Sequence, residues 1–154
     1  MISRQTLVRS ALVAVAAASL SACGSMDGMT SKSSVSVMQL GSSMSGAAEV
    51  PPNDKRGAGT AEVQFNRDTN VMTYSITYSG LSGPVTGAHI HGPAVAGANA
   101  GIVVPFTSVA QSPIKGQATL TPTQAGDLMA GMYYVNLHTA AHPGGEIRGQ
   151  LQKR

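Results

Sequence analysis

The chain has 154 residues: ten Lys and Arg against seven Asp and Glu, four His, one Cys, and 42% hydrophobic but only 4% aromatic side chains. A single cysteine excludes a disulfide within the chain and argues against a thiolate metal site. Arg4 and Arg9 lie in the first ten positions; without them acids and bases come within one of balance, and no Lys/Arg cluster alternates with aromatics, so nucleic acid is excluded as a partner.

The chain opens with "MISRQTLVRS", basic and free of acids, and continues with the apolar run "ALVAVAAASL". That run is short for a permanent membrane span and ends in small residues, so 1–22 reads as a secretion signal. Its end, "LSAC", resembles the lipobox of bacterial lipoproteins, where the cysteine is acylated and becomes the new N-terminus. Cys23 is therefore expected to carry lipid, and several acyl chains anchor stably because each buried methylene adds about 0.8 kcal/mol. Gly24 after the cysteine, rather than Asp, implies sorting to the outer membrane, facing the periplasm. Residues 23–38 are expected to form a Ser/Gly/Met-rich tether, with one folded domain over 39–154. Met26, Met29, Met38 and Met44 are soft thioethers of a kind that suits Cu(I), but spacer residues and a first strand starting near Val35 are their simpler use.

Beyond the tether, short alternating runs are separated by turn residues. "TAEVQF" (60–65) alternates and "NRDTN" turns the chain. "VMTYSITYS" (71–79) puts Met72, Tyr74, Ile76 and Tyr78 on one face and Thr and Ser on the other, the pattern of a half-buried antiparallel strand. Further strands are expected in 85–92, 101–106, 114–120, 132–139 and 145–152. Only "TPTQAGDLMAG" (121–131) reads as helix, with Thr121 or Thr123 as cap, Leu128 and Met129 packing inward and Gly131 as the stop. About eight strands and one short helix predict an all-β Greek-key sandwich or barrel, superoxide-dismutase-like or immunoglobulin-like.

The chemistry concentrates in "GAHIHG" (87–92). Side chains alternate along a strand, so His89 and His91 share a face, with Cα atoms roughly 6.5–7 Å apart. Ala88 and Ile90 then belong to the core. In "MYYVNLHT", Tyr133, Val135 and Leu137 take the core face and leave Tyr134, Asn136 and His138 on the other. His142 follows four residues after His138 in the loop "TAAHPGGE", placed to fold back over that face. Neutral imidazoles suit copper, zinc and nickel at bonds of about 2 Å. The expected ligands are His89, His91 and His138, with His142 as a fourth, for copper or alternatively zinc. Tyr134 and Asn136 are expected to orient the rings. Arg148 in "GEIRGQ" either guides an anion or pairs with Glu146 on its own strand face.

"AAEVPP" (47–52), "GLSGPVTGAHIHGPAVAGANAGIVVPF" (80–106), "SPIKGQATLT" (112–121) and "YYVNLHTAAHPGGEIRGQL" (133–151) resemble the CHRD domain, first recognised in chordin and widespread in bacterial secreted proteins. The resemblance covers about residues 39–152. The growth-factor-binding modules of chordin-type proteins have no counterpart here. "GAHIHGPA" is also similar to the His-x-His strand of Cu,Zn superoxide dismutase, which supplies copper ligands, and His138 matches the later histidine that completes that site. That family needs six histidines, an aspartate and a cysteine pair, so the likeness extends to one copper-like site and not to a second metal.

Three uses follow from these residues. One is a lipid-anchored envelope protein that binds copper for sequestration or delivery. A second is a dismutase-type redox enzyme, against which the missing second metal site and the low charge weigh. A third is a metal-free binding or structural module, in which "GPAVAGANAGIVVP" (92–105) covers the histidine face or presents a surface.

Overall fold

The computed structural model describes residues 36–154. The signal segment 1–22, Cys23 and the tether through residue 35, with Met26 and Met29, lie outside the described residues. In chain order the elements are β1 (Val37–Ser45), β2 (Ala58–Asn66), β3 (Val71–Ser79), β4 (Val85–His91), β5 (Ile102–Pro105), β6 (Ile114–Thr119), α1 (Pro122–Met129), β7 (Tyr134–Thr139), β8 (His142–Gln150) and β9 (Gln152–Lys153). The fold is all-β, as the alternating runs predict. The strands join in the order β5-β4-β7-β8-β1-β2-β3-β6, and β9 pairs with β1. All pairings are antiparallel.

Period-two patterning explains the strands one by one. In β3, Met72, Tyr74 and Ile76 are buried while Thr73 and Thr77 are exposed. The β2–β3 turn is held by the Asn66 side-chain oxygen, which accepts from the backbone of Asp68 and Thr69, and Asn70 takes the left-handed conformation that closes it. β1 is less obvious in sequence because "VMQLGSSMS" mixes Ser and Gly, yet Leu40 and Met44 point into the core and Met38 packs against it. These methionines act as apolar filler.

Three connections, β3 to β4, β5 to β6 and β6 to β7, join strands that are not neighbours, and the order divides into β6-β3-β2-β1 and β8-β7-β4-β5. Their inner faces meet in one core, and Phe106 just after β5 stacks on Tyr74 of β3 with centroids 4.3 Å apart. Two curved halves sharing one core make a nearly closed, barrel-like sandwich. The β6–β7 crossover holds α1. Thr121 caps it in a reciprocal box with Gln124, Pro122 opens its first turn, and Gly131 beyond its end takes a positive φ of 75°.

Two local expectations are corrected. Met129 does not pack inward: the helix buries Ala125 and Leu128, and Met129, its last residue, stands 36% exposed at the rim. His142 is not in a loop: Ala140 and Ala141 alone turn the chain, and His142 opens β8 opposite Thr139. A two-residue hairpin connection needs no more chain than that.

Candidate metal centre

Strand parity places the histidines as expected. Ala88 and Ile90 of β4 and Tyr133, Val135 and Leu137 at β7 are core residues, so His89, His91, Tyr134, Asn136 and His138 share the opposite face. In the β4–β7 ladder His91 lies opposite Tyr134, His89 opposite Asn136, and His138 opposite Gly87. Gly87 matters here: a Cβ at that position would sit 3.3 Å from the His89 ring and 3.9 Å from that of His138. The missing side chain gives the two imidazoles their meeting space.

That face is only partly open to water. The segment 92–101 folds over it and holds it with backbone carbonyls. Ala100 O accepts from His91 Nδ1 at 3.1 Å, Ala98 O from Arg148 Nη2, and Ala94 O from Gln150 Nε2 at 2.9 Å. Tyr134 and Asn136 are consequently buried and the three histidines half-buried. The segment thus covers the histidine face.

One ring nitrogen from each of His89, His91 and His138 lies within 4.8 Å of the other two. His89 Nδ1 and His138 Nε2 are 3.2 Å apart. Two nitrogens bound tetrahedrally at about 2.0–2.1 Å stand about 3.3 Å apart, so this pair already has the span of a shared ion. Carbonyl partners fix the tautomers of the other two rings. His91 Nδ1 is held by Ala100 O and His138 Nδ1 by Pro143 O at 3.0 Å, so in both the proton sits on Nδ1 and the lone pair on Nε2. His91 Nε2 is buried and has no hydrogen-bond partner. A buried acceptor left this way is destabilising unless something else occupies its lone pair, and a metal ion does so.

The electrostatics favour the neutral, ligating form. Burial holds His89 below its ordinary pKa, with His138 and His91 adding to the effect. Burial likewise lowers His91 against the pull of the Ala100 carbonyl, and lowers His138 against that of Pro143.

Around the triad lies a polar network. The Arg148 guanidinium carbon sits 3.4 Å above the Tyr134 ring, and that ring stacks on His91 with centroids 5.0 Å apart and planes 4° from parallel. Asn136 Nδ2 donates to Glu49 Oε2 at 3.1 Å, while Glu49 Oε1 and Asn136 Oδ1 have no partner. Burial pushes the Glu49 carboxyl up to about 7, against the opposing influence of Asn136, Arg148 and the Val50 backbone.

Arg148 and Glu146 do not pair with each other. Arg148 turns to Tyr134, Asn99 and Ala98, and Glu146 accepts from the Ser82 amide, the Ser82 hydroxyl and the Thr139 hydroxyl, each at 2.6 Å. Burial alone would raise the Glu146 carboxyl, but these bonds and nearby His142 outweigh it and leave it below the usual range. His142 stands on that side, outside the group formed by His89, His91 and His138. The sequence reading missed Glu49, Ser82 and Pro143. The signal for Glu49 was a lone acid between Ala48 and Val50 in an otherwise apolar stretch. Nothing in sequence marks a carbonyl such as that of Pro143.

A family model, the CHRD domain, matches residues 40–151, which spans every strand from β1 to β8 almost entirely. Neither a curated protein nor a solved structure shows a significant match. The chain belongs to the CHRD family.

Proposed function

Taking the chain as a CHRD domain, we propose that it binds one transition-metal ion, copper ahead of zinc, through His89, His91 and His138. Its role is then to sequester or hand on that metal at the bacterial cell envelope, where acylated Cys23 anchors it. The observation that supports this reading best is the buried, unpartnered His91 Nε2, in a ring whose other nitrogen is pinned by Ala100 O. Two further imidazoles bring nitrogens to the same place. An all-nitrogen donor set without thiolate suits Cu(II) and Zn(II), and Cu(II) is the stronger binder in a given nitrogen site.

The test is a copper titration of the chain followed by EPR and visible absorption. Wild type is expected to take up one equivalent with nitrogen hyperfine structure, and His89→Ala/His91→Ala to lose it. Equal uptake by both would reject the assignment. The anchor is tested separately: labelled fatty acid should enter the wild-type chain in a Gram-negative host and not Cys23→Ser, and labelling of both would reject lipidation at that residue.

A further inference from the structure

The face that carries the histidines also carries a cation with no carboxylate bound to it. Arg148 is 2% exposed, and its hydrogen bonds go to neutral oxygens: Asn99 Oδ1 at 2.9 Å and the Ala98 carbonyl. Glu146 is taken up by Ser82 and Thr139, and Glu49, bonded to Asn136 through one oxygen, feels Arg148 through space without a hydrogen bond to it. Withdrawing a guanidinium from water without a bonded counter-charge is costly, so its position calls for a use beyond packing.

Its charge reaches the metal centre by a short route. The guanidinium lies 3.4 Å above the Tyr134 ring, and Tyr134 lies parallel to the His91 imidazole, whose free nitrogen belongs to the centre. One segment holds both ends of this stack. Ala98 and Asn99 grip the guanidinium, and Ala100 pins His91.

We infer that Arg148 sets the charge state of the ion this centre holds: its fixed positive charge penalises a divalent ion more than a monovalent one, and shifts preference toward Cu(I) over Cu(II) and Zn(II). The inference rests on the metal-binding reading above. Coulomb repulsion grows with the charge of the ion. At a separation on the order of 10 Å and an effective dielectric of about 20, one extra unit of charge changes relative affinity about tenfold. Three neutral imidazoles alone supply no such bias.

The test compares the full chain with Arg148→Met, Arg148→Gln and Arg148→Lys. Affinities for Cu(II), Zn(II) and Cu(I) are measured by chelator competition, and the potential of bound copper by mediated titration. The neutral variants are expected to gain about tenfold for both divalent ions relative to Cu(I), with a lower copper potential, whereas Lys, which keeps the charge, stays near wild type. Gln keeps a donor for Asn99 and so guards against misfolding of the Met variant. An unchanged ratio in both neutral variants would overturn the inference, as would a shift in Lys as large as in Met, since packing rather than charge would then be responsible. A wild-type chain that holds neither copper ion would instead bring down the metal centre itself, and this inference with it.

Discussion

Replacing Glu49 by Gln should make the domain more stable in alkali than in mild acid, relative to wild type. The Glu49 carboxyl is raised from 4.5 to about 7, chiefly by burial. The folded state therefore keeps a proton that the unfolded chain gives up between those values. The sign follows: this group's contribution is fully present below 4.5 and is lost as pH rises through 7. At 1.36 kcal/mol per unit the shift sets a ceiling of about 3 kcal/mol, and relaxation toward Arg148 and nearby water reduces it to about 1–3 kcal/mol. Gln cannot ionise, and its amide pairs with Asn136 as the neutral acid does. Urea unfolding of both proteins at about pH 5 and about pH 9 is the assay. The stability difference, Glu49→Gln minus wild type, should grow by that amount between the two pH values. Taking the difference cancels the histidines, which titrate equally in both. A difference that stays flat, or moves the other way, would show that Glu49 folds as a carboxylate and that the burial argument fails.

Metal uptake should be insensitive to pH from about 8 to about 6.5 and fall only below that, because all three histidines titrate below their ordinary value of 6.5 and protons compete late. Zinc competition against a chromophoric chelator across that range measures it, and a decline that starts above pH 7 would contradict it. Gly92→Ala should cost about 1–3 kcal/mol or more, since a Cβ there would meet the Tyr133 ring and lie 2.8 Å from the Met132 carbonyl oxygen, in a place with no room to yield. A urea midpoint unchanged from wild type would refute that packing account.

Much of this was legible because period-two patterning carries its own geometry. "VMTYSITYS" and "GAHIH" state which residues face inward, and a face assigned correctly on β4 and β7 brings His89, His91 and His138 together once those strands pair. Register was the hidden variable. Only the ladder shows that His138 lies opposite Gly87, whose bare Cα makes room for two rings. His142 was misplaced because "TAAHPGGE" reads as a loop, whereas two residues suffice to reverse the chain and His142 already pairs opposite Thr139. The Arg148–Glu146 pairing failed for a related reason: shared parity puts two side chains on one face without deciding which finds the better partner. Glu146 has three hydroxyl and amide donors within 2.6 Å, and Arg148 has an aromatic ring beneath it.

The composition of residues 92–101 then explains how a solvent-side sheet face becomes a half-buried one. Ala94, Ala96, Gly97, Ala98, Ala100 and Gly101 have little or no side chain to interpose, so the backbone itself comes down onto β4, β7 and β8. The neck of this segment is tied by the Gly92 amide to Gly101 O at 3.1 Å, and Ala94 N reaches Met132 O at 2.8 Å. To His91, Arg148 and Gln150 it delivers carbonyl oxygens, which accept and cannot donate. An acceptor opposite His91 Nδ1 fixes the proton on that nitrogen and leaves Nε2 bare, and burial lowers the ring's pKa against the pull of that carbonyl. The small residues of this loop therefore set the surroundings of the histidines through their backbone, although none of them offers a ligand.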